Sequence, residues 1–138
     1  MKIYCCQCEK DVAANRVKGK YIYPHRIDLM SIDVWQCPTC SNYVGCHSKS
    51  KTPFKPLGVI PSKGLRIART HIHRLLDPLW INKIITRDAL YKLLAKSLGI
   101  SEFHTAEIRT LEDARIVYKI LKKIKSELYS TKRKYHEK

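Results

Sequence analysis

Read as apolar and polar positions, this 138-residue chain changes its period once, near residue 60. Before that point the pattern is the short alternation of half-buried strands. Lys2-Ile3-Tyr4, Val34-Trp35 and Tyr43-Val44-Gly45 each read as a short strand. Val12 to Tyr23 reads as a hairpin: Arg16-Val17-Lys18 and Lys20-Tyr21-Ile22-Tyr23 alternate, Gly19 suits the turn, and Pro24 ends the second strand. From Pro61 onward the apolar residues recur at spacings of three and four. The first helix is expected to start at Ser62 as N-cap, with Leu65, Ala68, Ile72, Leu75, Leu76 and Leu79 on its core side, and to stop near Asn82 and Lys83. Thr86 caps the second, whose apolar side is Ala89, Leu90, Leu93, Leu94 and Leu98, and Gly99 fits its C-terminal turn. A connector, Ile100 to Arg109, leads to a third helix opened by Thr110 with Asp113 three positions on. Its stripe is Leu111, Ala114, Val117, Ile120, Leu121, Ile124 and Leu128, and the tail from Lys132 to Lys138 is expected to fray.

The strand-like half holds the strongest chemical signal. Cys37-Pro38-Thr39-Cys40 sits between two strand segments, and Cys5 and Cys8 form a second C-x-x-C upstream. Two thiolates three positions apart on a tight turn can chelate one metal, and two such pairs complete a tetrahedral site. The ligand set is therefore Cys5, Cys8, Cys37 and Cys40, holding one structural zinc, with Cys6 pointing elsewhere. A closed four-thiolate site folds a segment too poor in apolar residues to fold by itself. Cys46 and His47 offer a second pair of donor atoms, but adjacent residues seldom point at one ion and no further Cys pair is at hand; a thiol and a polar His at a strand end is the simpler reading. The fold class is α+β: an N-terminal antiparallel zinc-ribbon-like β module, residues 1–60, then about three α-helices in a basic module, residues 61–138, packed with the first as one domain.

Charge narrows the partners. The chain carries 27 Lys and Arg against 12 Asp and Glu, a formal net charge of +15. Residues 61–138 hold the larger share of that excess. Such a balance favours polyanions, nucleic acid first. No apolar run approaches 18 residues, so no membrane span is expected, and the N-terminus lacks an apolar signal core, which points to the cytoplasm. Six cysteines in a reducing compartment are ligands or free thiols rather than disulfides.

Candidate phosphate contacts in the first module are His25 and Arg26 after the predicted strand, His47, and Lys49, Lys51 and Lys55 in the polar loop that follows. On the first helix a second stripe, Arg66, Arg69, His73, Asp77 and Trp80, runs at spacings of 3, 4, 4 and 3. Arginine forks suit phosphate, and an Asp can orient a His. The plain alternative is an intrahelical Asp77–His73 pair with the arginines in water. His71 falls off this face and reads as surface. The outer face of the third helix is basic: Arg115, Lys119, Lys122, Lys123 and Lys125.

An ordered string of motifs carries a family resemblance. After the first C-x-x-C come Tyr23-Pro24-His25-Arg26, Asp28-Leu29, the Cys37/Cys40 pair, Tyr43-Val44-Gly45-Cys46-His47 and Pro56-Leu57-Gly58. Leu65-Arg66, Arg69, His73, Asp77-Pro78-Leu79-Trp80, Arg87, Ala89, Tyr91 and Leu94-Ala95 follow. From Cys5 to about Val117 the sequence resembles a family of small phage and prophage proteins known as a zinc-finger-containing domain of unknown function. The resemblance implies zinc and a phage-type setting, hence a bacterial host cytoplasm, and no activity. This chain departs from the family at His104, followed by Thr105-Ala106 where the family has Ile-Gly, and at Cys6. The polar positions of the string suggest that His47, Arg66, Arg69, His73 and Asp77, joined by His104, converge in one groove fit for a phosphate or nucleotide.

Three functions follow from these readings. The first is a zinc-binding nucleic-acid protein with backbone-dominated contacts, since stackable aromatics (Tyr21, Tyr23, Trp35, Tyr43, Trp80) accompany the charge and no recognition-helix signature is present. The second is a phage factor that binds and inhibits a host protein or ribonucleoprotein complex. The third is a small nuclease working through His47, His73 and Asp77; with no carboxylate cluster for Mg²⁺, no catalytic residue is assigned and the balance leans away from an enzyme.

Overall fold

A computed structural model describes residues 1–136, and the last two positions of the tail expected to fray, Glu137 and Lys138, lie outside it. The chain forms two compact units, Met1–Gly64 and the remainder from Leu65.

In the first unit five short strands form two antiparallel sheets. Strand β1 (Lys2–Cys5) pairs with β2 (Lys10–Ala13), with Ile3 opposite Val12 and Cys5 opposite Lys10. Strands β3 (Asn15–Lys18), β4 (Asp33–Gln36) and β5 (Tyr43–Gly45) form the second sheet in that order. Ile60 returns to the first: its N–H donates to Tyr4 O at 2.8 Å, and its carbonyl accepts from Cys6 N at 2.9 Å. Around these strands Ile3, Cys5, Val12, Ala14, Trp35, Cys37, Val44 and Ile60 make one buried cluster. It is a small core for 64 residues, and two of its members are metal-ligand cysteines.

The hairpin expected from Val12 to Tyr23 does not form. Val12 belongs to β2 and faces Ile3 across the sheet, while Val17 of β3 pairs with Val34. Residues Gly19–Tyr21 make a 3-10 turn, and Tyr23 N donates to Gly19 O at 2.7 Å. A two-stranded ribbon is marginal by itself; Val17 does better against the fully buried Val34 of a three-stranded sheet. Gly19 makes that route passable. Its N–H donates to Ile32 O at 2.8 Å, and a Cβ there would stand 1.8 Å from Leu29 O.

The second unit contains three helices: α1 (Lys63–Ile81, which enters it at Leu65), α2 (Arg87–Leu98) and α3 (Leu111–His136). Leu65, Ile72, Leu76 and Leu79 of α1 are buried at the spacing read from the sequence. Pro78 is accommodated inside the helix, which stops three residues later with Lys83 at φ 59°. Thr86 Oγ1 accepts from Ala89 N at 3.2 Å and Gly99 takes φ 69°, so both ends of α2 are capped as expected. Its buried face is Leu90, Leu94 and Ala95; Ala89 and Leu93 are exposed, because the face is turned toward Ala95. In α3, Thr110 Oγ1 accepts from Asp113 N at 3.1 Å, and Ala114, Val117, Leu121 and Ile124 are buried. Leu111, in the first turn, is largely exposed.

The connector between α2 and α3 is part of the core. Phe103, Thr105 and Ile108 are buried, and Phe103 meets Tyr91 edge-on at 5.6 Å. Among the described residues no helix is long and apolar enough to cross a membrane.

Two glycine substitutions separate the contributions. Gly19→Ala forces backbone apart and is expected to lower stability by roughly 1–3 kcal/mol. Gly99→Ala meets nothing within 4 Å and is expected to cost only its left-handed φ, roughly 1 kcal/mol. Urea denaturation of the zinc-loaded protein checks both.

Candidate metal centre and surrounding polar residues

Two knuckles build the site, and they share a backbone device. Cys5 closes β1 and Cys37 directly follows β4, so each sheet delivers one thiol at a strand end. The second thiol of each pair comes three residues later. The residue after it, Glu9 in one knuckle and Ser41 in the other, has positive φ, 57° and 66°. That left-handed step reverses the chain so that both thiols face one point. In the second knuckle Cys37 N donates to Asn42 O at 2.8 Å and Ser41 N to Cys37 O at 3.1 Å. Asn42 Nδ2 also donates to Cys40 Sγ at 3.2 Å, a bond that would hold a thiolate in place and share its charge.

The four Sγ atoms of Cys5, Cys8, Cys37 and Cys40 lie within 4.8 Å of one another. Cys5 and Cys40 are 3.5 Å apart, and Cys8 and Cys37 3.8 Å. A tetrahedron with Zn–S bonds of about 2.3 Å has edges of about 3.8 Å, so the cluster fits one zinc ion. Cys6 and Cys46 stand outside it, both half-buried.

Without metal, four thiols this close cannot all ionise together. Burial pushes Cys5 up, and burial with hydrogen bonding to the Cys37 thiol pushes Cys8 up to about 12. At Cys37 burial acts in the same direction but is outweighed: N–H groups of Cys40 and Thr39, with the Cys40 and Cys8 thiols, bring it down to about 7. The knuckle's own backbone thus favours the Cys37 thiolate over those of Cys5 and Cys8.

The remaining candidate residues divide between the units. In the first, Arg26 is drawn to Asp28 by two hydrogen bonds, 2.9 and 2.7 Å, and His25 beside it is exposed. His47 opens a braced, exposed loop. Its N–H donates to Lys55 O at 2.9 Å, Ser50 Oγ donates to its carbonyl at 2.8 Å, and Trp35 Nε1 donates to Phe54 O at 2.7 Å. Arg16 stacks over the Phe54 ring at 4.1 Å, and Lys49, Lys51 and Lys55 project from the same loop into solvent.

In the second unit the stripe of α1 has separate occupations. Arg69 donates to Ala106 O at 2.9 Å and to Ile108 O at 2.5 Å, tying α1 to the connector. Asp77 accepts from Trp80 Nε1 at 3.2 Å and faces His73 Nδ1 at 3.4 Å. Arg66 is half-buried on the same helix. His104 pairs with Glu102 at 3.1 Å.

The sequence placed Arg115, Lys119, Lys122 and Lys125 on an outer basic face and His71 on the surface, but not the two grooves that α3 forms with α1, nor the part Tyr118 and Tyr129 take in them. Ala68, His71, Ala114, Arg115, Tyr118 and Lys119 line one of about 270 Å³. Leu75, Lys122, Lys125, Ser126, Tyr129 and Ser130 line the other, about 340 Å³. The signal was available: a tyrosine recurs after three helical turns amid the lysines of that face.

A four-thiolate cluster on two knuckles at strand ends, closed on all sides by protein ligands, defines a structural zinc-binding domain. Comparison of the whole sequence agrees: a family model described as a zinc-finger-containing domain matches residues 1–127, and the chain belongs to that family. Neither the comparison with curated proteins nor that with solved structures gives a match.

Replacing any one of Cys5, Cys8, Cys37 or Cys40 by Ser is expected to reduce bound zinc well below one equivalent. Cys6→Ser and Cys46→Ser are expected to keep it, as read by elemental analysis of purified protein. Because thiols must lose protons to bind, zinc affinity falls as pH is lowered from about 8 to about 6, measured by competition with a chromophoric chelator. Arg69→Ala is expected to cost roughly 1.5–3 kcal/mol in urea denaturation.

Proposed function

We propose that this zinc protein is a phage-type accessory factor that binds nucleic acid through backbone-dominated contacts. The observation that carries this reading is the lining of the two α1/α3 grooves. Arg115, Lys119, Lys122 and Lys125 are among the residues lining them, and no carboxylate is. The grooves beside the connector differ in carrying carboxylates: Glu102, Glu107 and Asp113 in one, and Asp88 and Glu102 beside Arg87 and Lys92 in the other. Cations spread along the surface are ordinary; cations segregated into grooves without counter-charges create a positive potential that attracts phosphate. From Arg115 to Lys125 the helix rises about 15 Å, the length of a few phosphates along one strand.

Other residues divide into contributors and supports. The braced loop with His47, Lys49 and Lys51, and Arg66 and His73 on α1, remain candidate phosphate contacts, with His25. Arg26 and Arg69 spend donors inside the protein, on Asp28 and on connector carbonyls. Asp77 is shared between His73 and Trp80, which suits holding a helix face better than proton transfer.

A second reading, capture of a host protein, draws on the first unit. Tyr21, Ile27 and Met30 are exposed by 71%, 86% and 45%, apolar side chains in a segment that a buried interface would shelter.

Fluorescence anisotropy with labelled oligonucleotides across a salt series tests the first reading. Four groove cations on a single strand predict a log–log salt slope of about −3, and each charge removed, as in Lys122→Ala, lowers it by about 0.7. A flat salt response, or no binding at low salt, would sink the proposal and send the search to host proteins.

A further inference from the structure

We infer that the α1/α3 grooves are built for single-stranded nucleic acid, with Tyr118 and Tyr129 as base-stacking platforms at either end of a lysine pair. The inference rests on the nucleic-acid reading above and adds the strandedness of the ligand. Its basis is the helical phase of four residues. Tyr118 and Tyr129 are eleven positions apart, about three turns plus 20°, so they lie on one face of α3 about 16 Å from each other along the axis. Lys122 and Lys125 fall between them within about 40° of Tyr118's direction. The face therefore reads aromatic, cation, cation, aromatic.

The side chains are arranged as that order requires. Lys122 Nζ lies 5.7 Å from the Tyr118 ring centre, and Lys125 Nζ 6.0 Å from that of Tyr129. Each ammonium is thus parked beside an aromatic face at the outer limit of a cation–π contact, where little holds it against an incoming phosphate. Both rings are half-buried and line their grooves, Tyr118 beside Lys119 and His71, Tyr129 beside Ser126 and Ser130. A half-buried ring is held in orientation while keeping a surface to stack on. The serines add hydroxyls that can bond to phosphate or to a base edge without selecting a sequence.

Strandedness follows from what each ligand presents. A duplex offers phosphates on its outside and keeps its base faces stacked within, so it could use the lysines and waste both tyrosines. A single strand offers phosphates and unstacked bases together, and stacking on an aromatic ring tolerates any base. Lysines alone would serve either ligand; a lysine pair flanked by tyrosines on one face serves the single strand.

The test compares labelled dT12, rU12 and a 12-base-pair DNA duplex on the full zinc-loaded chain, by anisotropy at low and moderate salt. Single strands are expected to bind at least tenfold tighter than the duplex. Tyr118→Ala and Tyr129→Ala are each expected to lose roughly 5- to 150-fold in single-strand affinity with an unchanged salt slope, and Tyr→Phe at either position to keep it. Tyr118→Trp supplies a reading independent of affinity: its emission is expected to be quenched on saturation with dT12 and not with the duplex. Circular dichroism of each variant confirms the helices. Equal or tighter duplex binding, or alanine variants that bind like the parent, overturns the single-strand inference and leaves the phosphate-binding grooves standing. Absence of binding to all three oligonucleotides overturns both.

Discussion

Four sulfur atoms within 4.8 Å of one another are the constraint on which the first unit depends. Its buried apolar cluster is short, and Cys5 and Cys37 are themselves among its fully buried side chains. The two sheets are built from strands of three or four residues, each too short to be stable alone. What joins them is the metal position, since Cys5 and Cys8 come from one sheet's hairpin and Cys37 and Cys40 from the other's. The conformational cost of closing the segment between Cys8 and Cys37 is met by coordination rather than by hydrophobic burial. Left-handed residues at Glu9 and Ser41 show the backbone accepting local strain for that closure.

The helical unit is held differently. It has a continuous apolar core, with Leu65, Ile72, Leu76, Leu79, Leu90, Leu94 and Leu121 all at 1% exposure or less. Its connector completes that core through Phe103 and Ile108, and Arg69 clamps the connector by two of its carbonyls. An arginine here does the work of a cap for the one-turn 3-10 helix Thr105–Glu107 and the residue after it. Two of the candidate site residues have structural partners: Arg69 clamps the connector, and Asp77 is shared by His73 and Trp80.

Function then falls to surfaces the core leaves over. With zinc spent on folding and several polar residues of α1 spent on packing, the cationic grooves beside α3 are the feature that folding does not account for. A segregated positive face costs self-repulsion, which a stability requirement alone would not retain. The proposed phosphate recognition gives that face a purpose, and the flanking tyrosines give the proposal its single-stranded ligand. The exposed apolar residues around Ile27 stand as a separate surface on the other unit.

The sequence by itself determined the elements whose cause is local. The zinc ligands were legible because chelation requires fixed spacing on a turn, and the helices because caps and apolar phase are written in neighbouring residues: Thr86, Gly99, Thr110, the leucines of α1. The arrangement of residues 12–23 was not legible: alternation does not say which strand a segment joins, and at Lys20–Tyr23 it accompanies a 3-10 turn instead of a strand. Only tertiary structure moved Val17 opposite Val34 and folded Gly19 against Leu29. The same holds for the polar residues. A stripe of Arg, His and Asp looks alike whether it faces a ligand or a carbonyl, and the direction of Arg69 is decided by a connector 37 residues away. The grooves, too, needed a second helix beside α3 before a row of lysines and tyrosines could line a concave surface.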